Sequence, residues 1–173
     1  MEKGGGILYN PLGYKALRTF QQAEEIYELT KEFTSKYLDP VKDRRLKEQM
    51  DSCGRSLKQN IAEGHGRQDT KANLEFLGFS FGSLNELLED YFDLEKDYTE
   101  GQRKTRQDKE EALRMISRAI KLLMGEKTML ERQMAGLRKR FVQKGDEKEE
   151  MRQERYNEQK RQIVNQWNRK YWE

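Results

Sequence analysis

Apolar residues recur at steps of three and four along most of this chain, the spacing of one face of an α-helix. Between Tyr14 and Leu38 the stripe is Leu17, Phe20, Ala23, Tyr27, Thr30 and Phe33, with Tyr37 on the same side and Glu24, Glu25, Glu28 and Lys31 facing away. Asp39–Pro40 ends this first helix, because a proline pushes the residue before it out of the helical region. A second helix is predicted from about Val41 to Glu63 on Leu46, Met50, Cys53, Leu57 and Ile61. Gly54 interrupts it at a cost of about 1 kcal/mol relative to Ala, which close approach of a neighbouring helix would justify. Gly64 and Gly66 then stop it.

Asp69 or Thr70 caps a third helix that runs to about Tyr98 on Leu74, Leu77, Phe81, Leu84, Leu88 and Tyr91. Its stripe is wide, since Phe76, Phe79, Leu87, Phe92 and Leu94 lie beside it, and Gly78 and Gly82 share one face on which another backbone would come close. After Thr99–Glu100–Gly101 a fourth helix begins at about Arg103 or Gln107 and reaches at least Arg140, on Leu113, Ile116, Ala119, Ile120, Leu123, Leu130, Leu137 and Phe141. Residues 142–160 hold only Val142, Met151 and Tyr156 as apolar positions. Apolar character returns at Ile163, Val164, Trp167, Tyr171 and Trp172, the pattern of an exposed spacer ending in an anchor. No period-two pattern competes. The fold expected is all-α, an up-down antiparallel four-helix bundle over 14–141. A flexible arm (1–13) would precede it, and a long charged C-terminal helical extension (142–173) would follow.

Composition sharpens this. Of 173 residues, 38% are charged and 34% hydrophobic, so either part of the chain is solvated and extended or several chains share a core. Residues 1–100 carry 14 Lys+Arg against 19 Asp+Glu, and residues 101–173 carry 20 against 12. An acidic first part is thus joined to a basic second part, which suggests nucleic-acid contact or contact between opposite charges on neighbouring chains. One Cys excludes an internal disulfide, and one His excludes a His-pair metal motif. No apolar run approaches a membrane span and the N-terminus lacks the apolar run of a secretory signal, so a soluble, cytoplasmic protein is expected.

Candidate chemistry is sparse. His65 and Glu63 flank Gly64 in a turn and could act as an acid–base pair. The competing reading, in which glycines end a helix and Glu63 pairs locally with Arg67, carries more weight. No Ser, Cys or Asp completes a triad by local spacing, and Cys53 on the apolar stripe reads as a buried structural thiol. Glu86, Glu89, Asp90 and Asp93 lack the Glu-x-x-His pairs of helical di-metal sites, so neither metal nor cofactor is expected. Arg103, Lys104 and Arg106 open the fourth helix; Arg114, Arg118 and Lys121 share a face; Arg138, Lys139 and Arg140 cluster near its end. Such faces hold phosphates through charge. The alternative is a salt-bridged surface, since Glu110, Glu111, Glu126 and Glu131 are interspersed.

The segment Ser56…Asn60-Ile61-Ala62-Glu63-Gly64-His65-Gly66-Arg67, followed by Phe76-Leu77-Gly78-Phe79-Ser80-Phe81-Gly82-Ser83-Leu84-Asn85-Glu86, resembles the four-helix-bundle proteins of the ribosomal RNA intervening-sequence (S23) family. Gly13-Tyr14-Lys15-Ala16-Leu17-Arg18-Thr19-Phe20-Gln21 and Leu87-Leu88-Glu89-Asp90-Tyr91 resemble its suffix-domain branch. The resemblance covers about 13–98. It implies a homo-oligomer, with a pentamer favoured, and a relation to the accessory variability proteins of diversity-generating retroelements. Those proteins bind nucleic acid and a reverse transcriptase. It implies no catalytic residues, and it carries over Asn60, Glu63, Gly64, Gly66 and Arg67 as a structural helix-end motif. Residues 142–173 have no counterpart in the short members.

Two functions follow as expectations. The first is a non-enzymatic, oligomeric accessory protein that holds RNA or DNA phosphates on its fourth helix, scaffolding template RNA and reverse transcriptase. The second is a protein-interaction module, without nucleic acid, docking a partner through Trp167, Tyr171 and Trp172.

Overall fold

The computed structural model describes residues 12–67, 69–101 and 109–172, apart from the side chains of 143–156, 159 and 166–172. A short 3-10 turn, Gly13–Ala16, leads into four helices: α1 (Arg18–Tyr37), α2 (Arg44–Gly66), α3 (Thr70–Thr99) and α4 (Lys109–Trp172). The described residues contain no strand.

Each boundary has a local cause. Leu38 leaves α1 in extended conformation ahead of Asp39–Pro40. The Asp39 carboxylate accepts from the amides of Val41 and Lys42, both at 2.9 Å, and those bonds hold its pKa below the usual carboxylate range. That turn delays α2 to Arg44, three residues later than the periodicity suggests. Asp69 caps α3 by accepting from the amides of Lys71 and Ala72. Gly101, at φ +75°, is the left-handed residue after α3.

The four helices form a bundle in which α1 packs on α2, α2 on α3, α3 on α4 and α4 back on α1. On α2 and α3, Gln49 meets Asp90, Cys53 meets Glu86 and Leu57 meets Ser80, so these two helices run in opposite directions. On α1 and α4, Lys36 meets Glu111, Glu25 meets Arg118 and Thr19 meets Gln133, with the same consequence. Phe33, Met50, Leu57, Leu84, Tyr91 and Ile116 are among the fully buried side chains at the centre. Two buried polar groups find partners there: the Tyr91 hydroxyl donates to Thr30 Oγ1 at 3.1 Å, and Ser80 Oγ donates to the Leu57 carbonyl at 2.7 Å. Burial pushes the Tyr91 phenol above its usual range.

The α1 stripe of the sequence is incomplete, because Ile26 and Leu29 are buried as well. Gly54 is buried against Tyr27 of α1, with a hypothetical Cβ at 3.4 Å from the ring, which is ordinary contact. Gly78 and Gly82 are exposed and have nothing within 4 Å among the described residues, so none of the described helices uses their small size. Among the described residues, no helix is long and apolar enough to cross a membrane.

α4 continues unbroken through Gly125 and Gly136 for 64 residues, about 95 Å at 1.5 Å per residue. Leu130 is its last fully buried side chain and Leu137 the last partly buried one against the core. Residues 138–172, about 50 Å of helix, therefore extend past the bundle core.

Candidate nucleic-acid interface

The surface of α4 is set by its buried seam. Ala112, Ile116, Ala119, Leu123, Glu126 and Leu130 are all buried, at steps of four and three. The positions opposite that seam are Arg114, Arg118, Lys121, Gly125, Thr128, Arg132, Ala135 and Lys139, and every one is exposed. This stripe runs about 37 Å and carries no carboxylate. Arg132 completes it; sequence reasoning passed over that residue because it is a single cation between larger clusters. Arg138 and Arg140 are exposed on either flank, and Arg140 Nε donates to the Gly136 carbonyl at 3.3 Å.

Of the interspersed acids, Glu111 and Glu126 turn away from the stripe, whereas exposed Glu110 stands one turn before Arg114 on the same face. Glu111 turns to α1 and pairs with Lys36 at 2.8 Å, a hydrogen bond that holds the carboxyl below and the ammonium above their ordinary values. The Glu111–Lys36 and Arg118–Glu25 pairs agree with the reading of a salt-bridged surface, but Glu126 has no part in it. It is 0% exposed, neither carboxylate oxygen has a hydrogen-bond partner, and burial pushes its pKa up to about 8. At neutral pH it is mainly uncharged, so it adds no negative charge to this face.

The upper half of the stripe is less free. Arg118 donates to Glu25 at 2.7 Å, and Glu28 and Glu32 of α1 line the same shallow groove. On the other side of Arg118, Arg114 and Lys121 line a concavity of about 500 Å³ with Gln22 and Gly125. Gln22 crosses it to donate to the Leu122 carbonyl at 2.7 Å. A Cβ on Gly125 would stand 3.0 Å from the Gln22 amide nitrogen, so the glycine makes room for that bond. Arg103, Lys104 and Arg106 lie outside the described residues. Trp167, Tyr171 and Trp172 fall on the last turns of α4, and their side chains lie outside the described residues.

The motif at the end of α2 is a packing device. A Cβ on Gly64 would meet Asn73 Oδ1 at 3.0 Å, Phe76 Cβ at 3.1 Å and the Asn73 carbonyl at 3.2 Å, so Gly64 lets α3 approach. The helix ends two residues later, with Arg67 extended. Arg67 lies 3.6 Å from Glu63 and stacks 4.5 Å from the Phe76 ring centroid. Asn60 is half-buried and Gly66 is exposed with open space around it. Glu63 thus faces Arg67, while half-buried His65 sets its ring edge-on to Tyr14 at 6.5 Å, and burial lowers its pKa. Cys53 is buried, donates to Glu86 at 3.3 Å and has its pKa pushed up to about 12 by burial, the state of an inert thiol. No group of three potential metal ligands converges among the described residues.

A search of curated proteins finds no match. The family model described as 23S rRNA-intervening sequence protein matches residues 15–121, from the 3-10 turn to Lys121 on the basic stripe and more than half of the chain. This chain belongs to the 23S rRNA-intervening sequence protein family.

Proposed function

We propose that this chain is a non-enzymatic RNA-binding accessory protein, an up-down bundle that works as a homo-oligomer with a pentamer favoured. In this reading it belongs to the suffix-domain branch and serves a diversity-generating retroelement, holding template RNA and a reverse transcriptase together in the cytoplasm. The observation that carries it is the exposed stripe of α4, where Arg114, Arg118, Lys121, Arg132 and Lys139 lie on one face with no carboxylate of α4 between them, Arg118 alone being paired, with Glu25 of α1. A phosphate backbone is held by such a face through counterion release, with no need for base contacts. The name of the family, which refers to ribosomal RNA, supports the same class of ligand. The pairing of Glu63 with Arg67 and the inert state of Cys53 support the absence of catalysis.

Charge reversal tests it. R114E/R118E/K121E should weaken binding of a fluorescein-labelled RNA hairpin about tenfold or more and flatten its salt dependence, read by anisotropy across a salt series. Unchanged affinity, or affinity indifferent to salt in the full chain, sinks the reading.

One observation favours the second reading, docking of a protein partner alone: among the described residues, no side chain of α4 beyond Leu137 packs against the bundle core. Removing residues 142–173 separates the two. Loss of assembly in light scattering with RNA affinity unchanged assigns the extension to protein contact; loss of RNA affinity with assembly intact assigns it to the nucleic acid.

A further inference from the structure

The seam between α1 and α4 is a ladder of paired side chains. Its first rung joins Lys36 to Glu111 at 2.8 Å, its second Glu25 to Arg118 at 2.7 Å, and its third Gln22 to the Leu122 carbonyl at 2.7 Å. The last rung is Thr19 Oγ1 donating to Gln133 at 2.9 Å. Arg18 and Arg132 immediately precede those two residues in their helices, and both are exposed. On α1, Arg18 stands four residues before Gln22 and seven before Glu25, which puts all three on the flank turned to α4. On α4, Arg140 is seven residues past Gln133, again on the α1 side, and is exposed. Lys15, in the turn before α1, is exposed at the same end.

Charge is matched on the upper rungs and unmatched on this one. Glu126 is turned into the core. Glu131 is two residues from Gln133, about 200° round the helix and away from α1. Among the described residues, neither Arg18 nor Arg132 has a carboxylate at ion-pair distance. Exposed guanidiniums that flank the Thr19–Gln133 rung without a counter-charge among the described residues attract an anion, and the planar fork of arginine fits phosphate in particular.

We propose that Arg18, Arg132 and Arg140, with Lys15, form a phosphate seat at the base of the bundle, which takes RNA backbone where α4 leaves the core. This rests on the RNA-binding reading above and locates its strongest contact away from the Arg118–Glu25 pair. The test compares R18E/R132E, and the neutral R18Q/R132Q, with R114E/R118E/K121E on the same RNA hairpin. The base variants should lose about tenfold or more in affinity and lower the salt slope by about two, with thermal stability nearly unchanged because the sites are exposed. Full affinity in both base variants, alongside a loss in R114E/R118E/K121E, overturns the seat and leaves the RNA reading standing. Full affinity in all three overturns both. Stabilisation of the native chain by inorganic phosphate, abolished in R18Q/R132Q whose RNA affinity is unchanged, makes this a small-anion site and overturns its assignment to RNA.

Discussion

Glu126→Leu should stabilise the protein, and by more as the pH rises. In the fold Glu126 keeps its proton to about pH 8, against an ordinary carboxyl value of 4.5, because burial opposes the charge and no donor compensates it. Between those two values the folded chain binds more protons than the unfolded chain, so unfolding becomes easier as pH increases. The penalty is absent below about pH 4.5, grows through neutrality and levels off above about pH 8, where it is on the order of 3 to 5 kcal/mol. Leucine has no charge to bury and suits a seam that already holds Leu123 and Leu130. Denaturant midpoints for both proteins at about pH 6 and about pH 9 should diverge in favour of the variant. A gap that does not change with pH, or a variant weaker at the higher value, would mean that the carboxyl is not enclosed in the core.

Gly64→Ala should cost about 1 to 3 kcal/mol, whereas Gly54→Ala, ten residues earlier in the same helix, should gain up to about 1. Both glycines are buried in α2. At Gly64 the added methyl meets the Asn73 side-chain oxygen at 3.0 Å, Phe76 Cβ at 3.1 Å and the Asn73 backbone carbonyl at 3.2 Å, and the helical backbone of α3 yields less readily than the end of a flexible side chain. At Gly54 the nearest atoms stand at 3.4 to 3.8 Å, so alanine fills ordinary contact distance and brings its higher helix propensity. Chemical unfolding of the two single variants reads the difference directly. A neutral Gly64→Ala or a costly Gly54→Ala would contradict the helix spacing described here.

These two cases also mark how much the sequence disclosed. Helix number, the Pro40 boundary, the Asp69 cap and most of the seam were legible, because each depends on local spacing and backbone chemistry. Glu126 was misplaced because a carboxylate between a glycine and a lysine reads as surface. The signal was present all the same: the steps Ala119, Leu123, Glu126, Leu130 run straight through it. Arg132 was missed for the converse reason, since membership of a stripe depends on where the buried seam falls rather than on neighbours in sequence. Gly54 and Gly64 look alike on paper, and only the partner helix distinguishes them. Gly78 and Gly82 were expected to admit another backbone, but within this chain they meet open space.

The long fourth helix has a hydrodynamic consequence. A compact chain of 173 residues has a radius of gyration of about 16 Å, yet α4 alone spans about 95 Å. Drag follows the longest dimension, so even a single 20.7 kDa copy will migrate through a sizing column ahead of globular standards of its mass. An early elution volume is thus built into the shape of a single chain, and copy number has to be counted by mass.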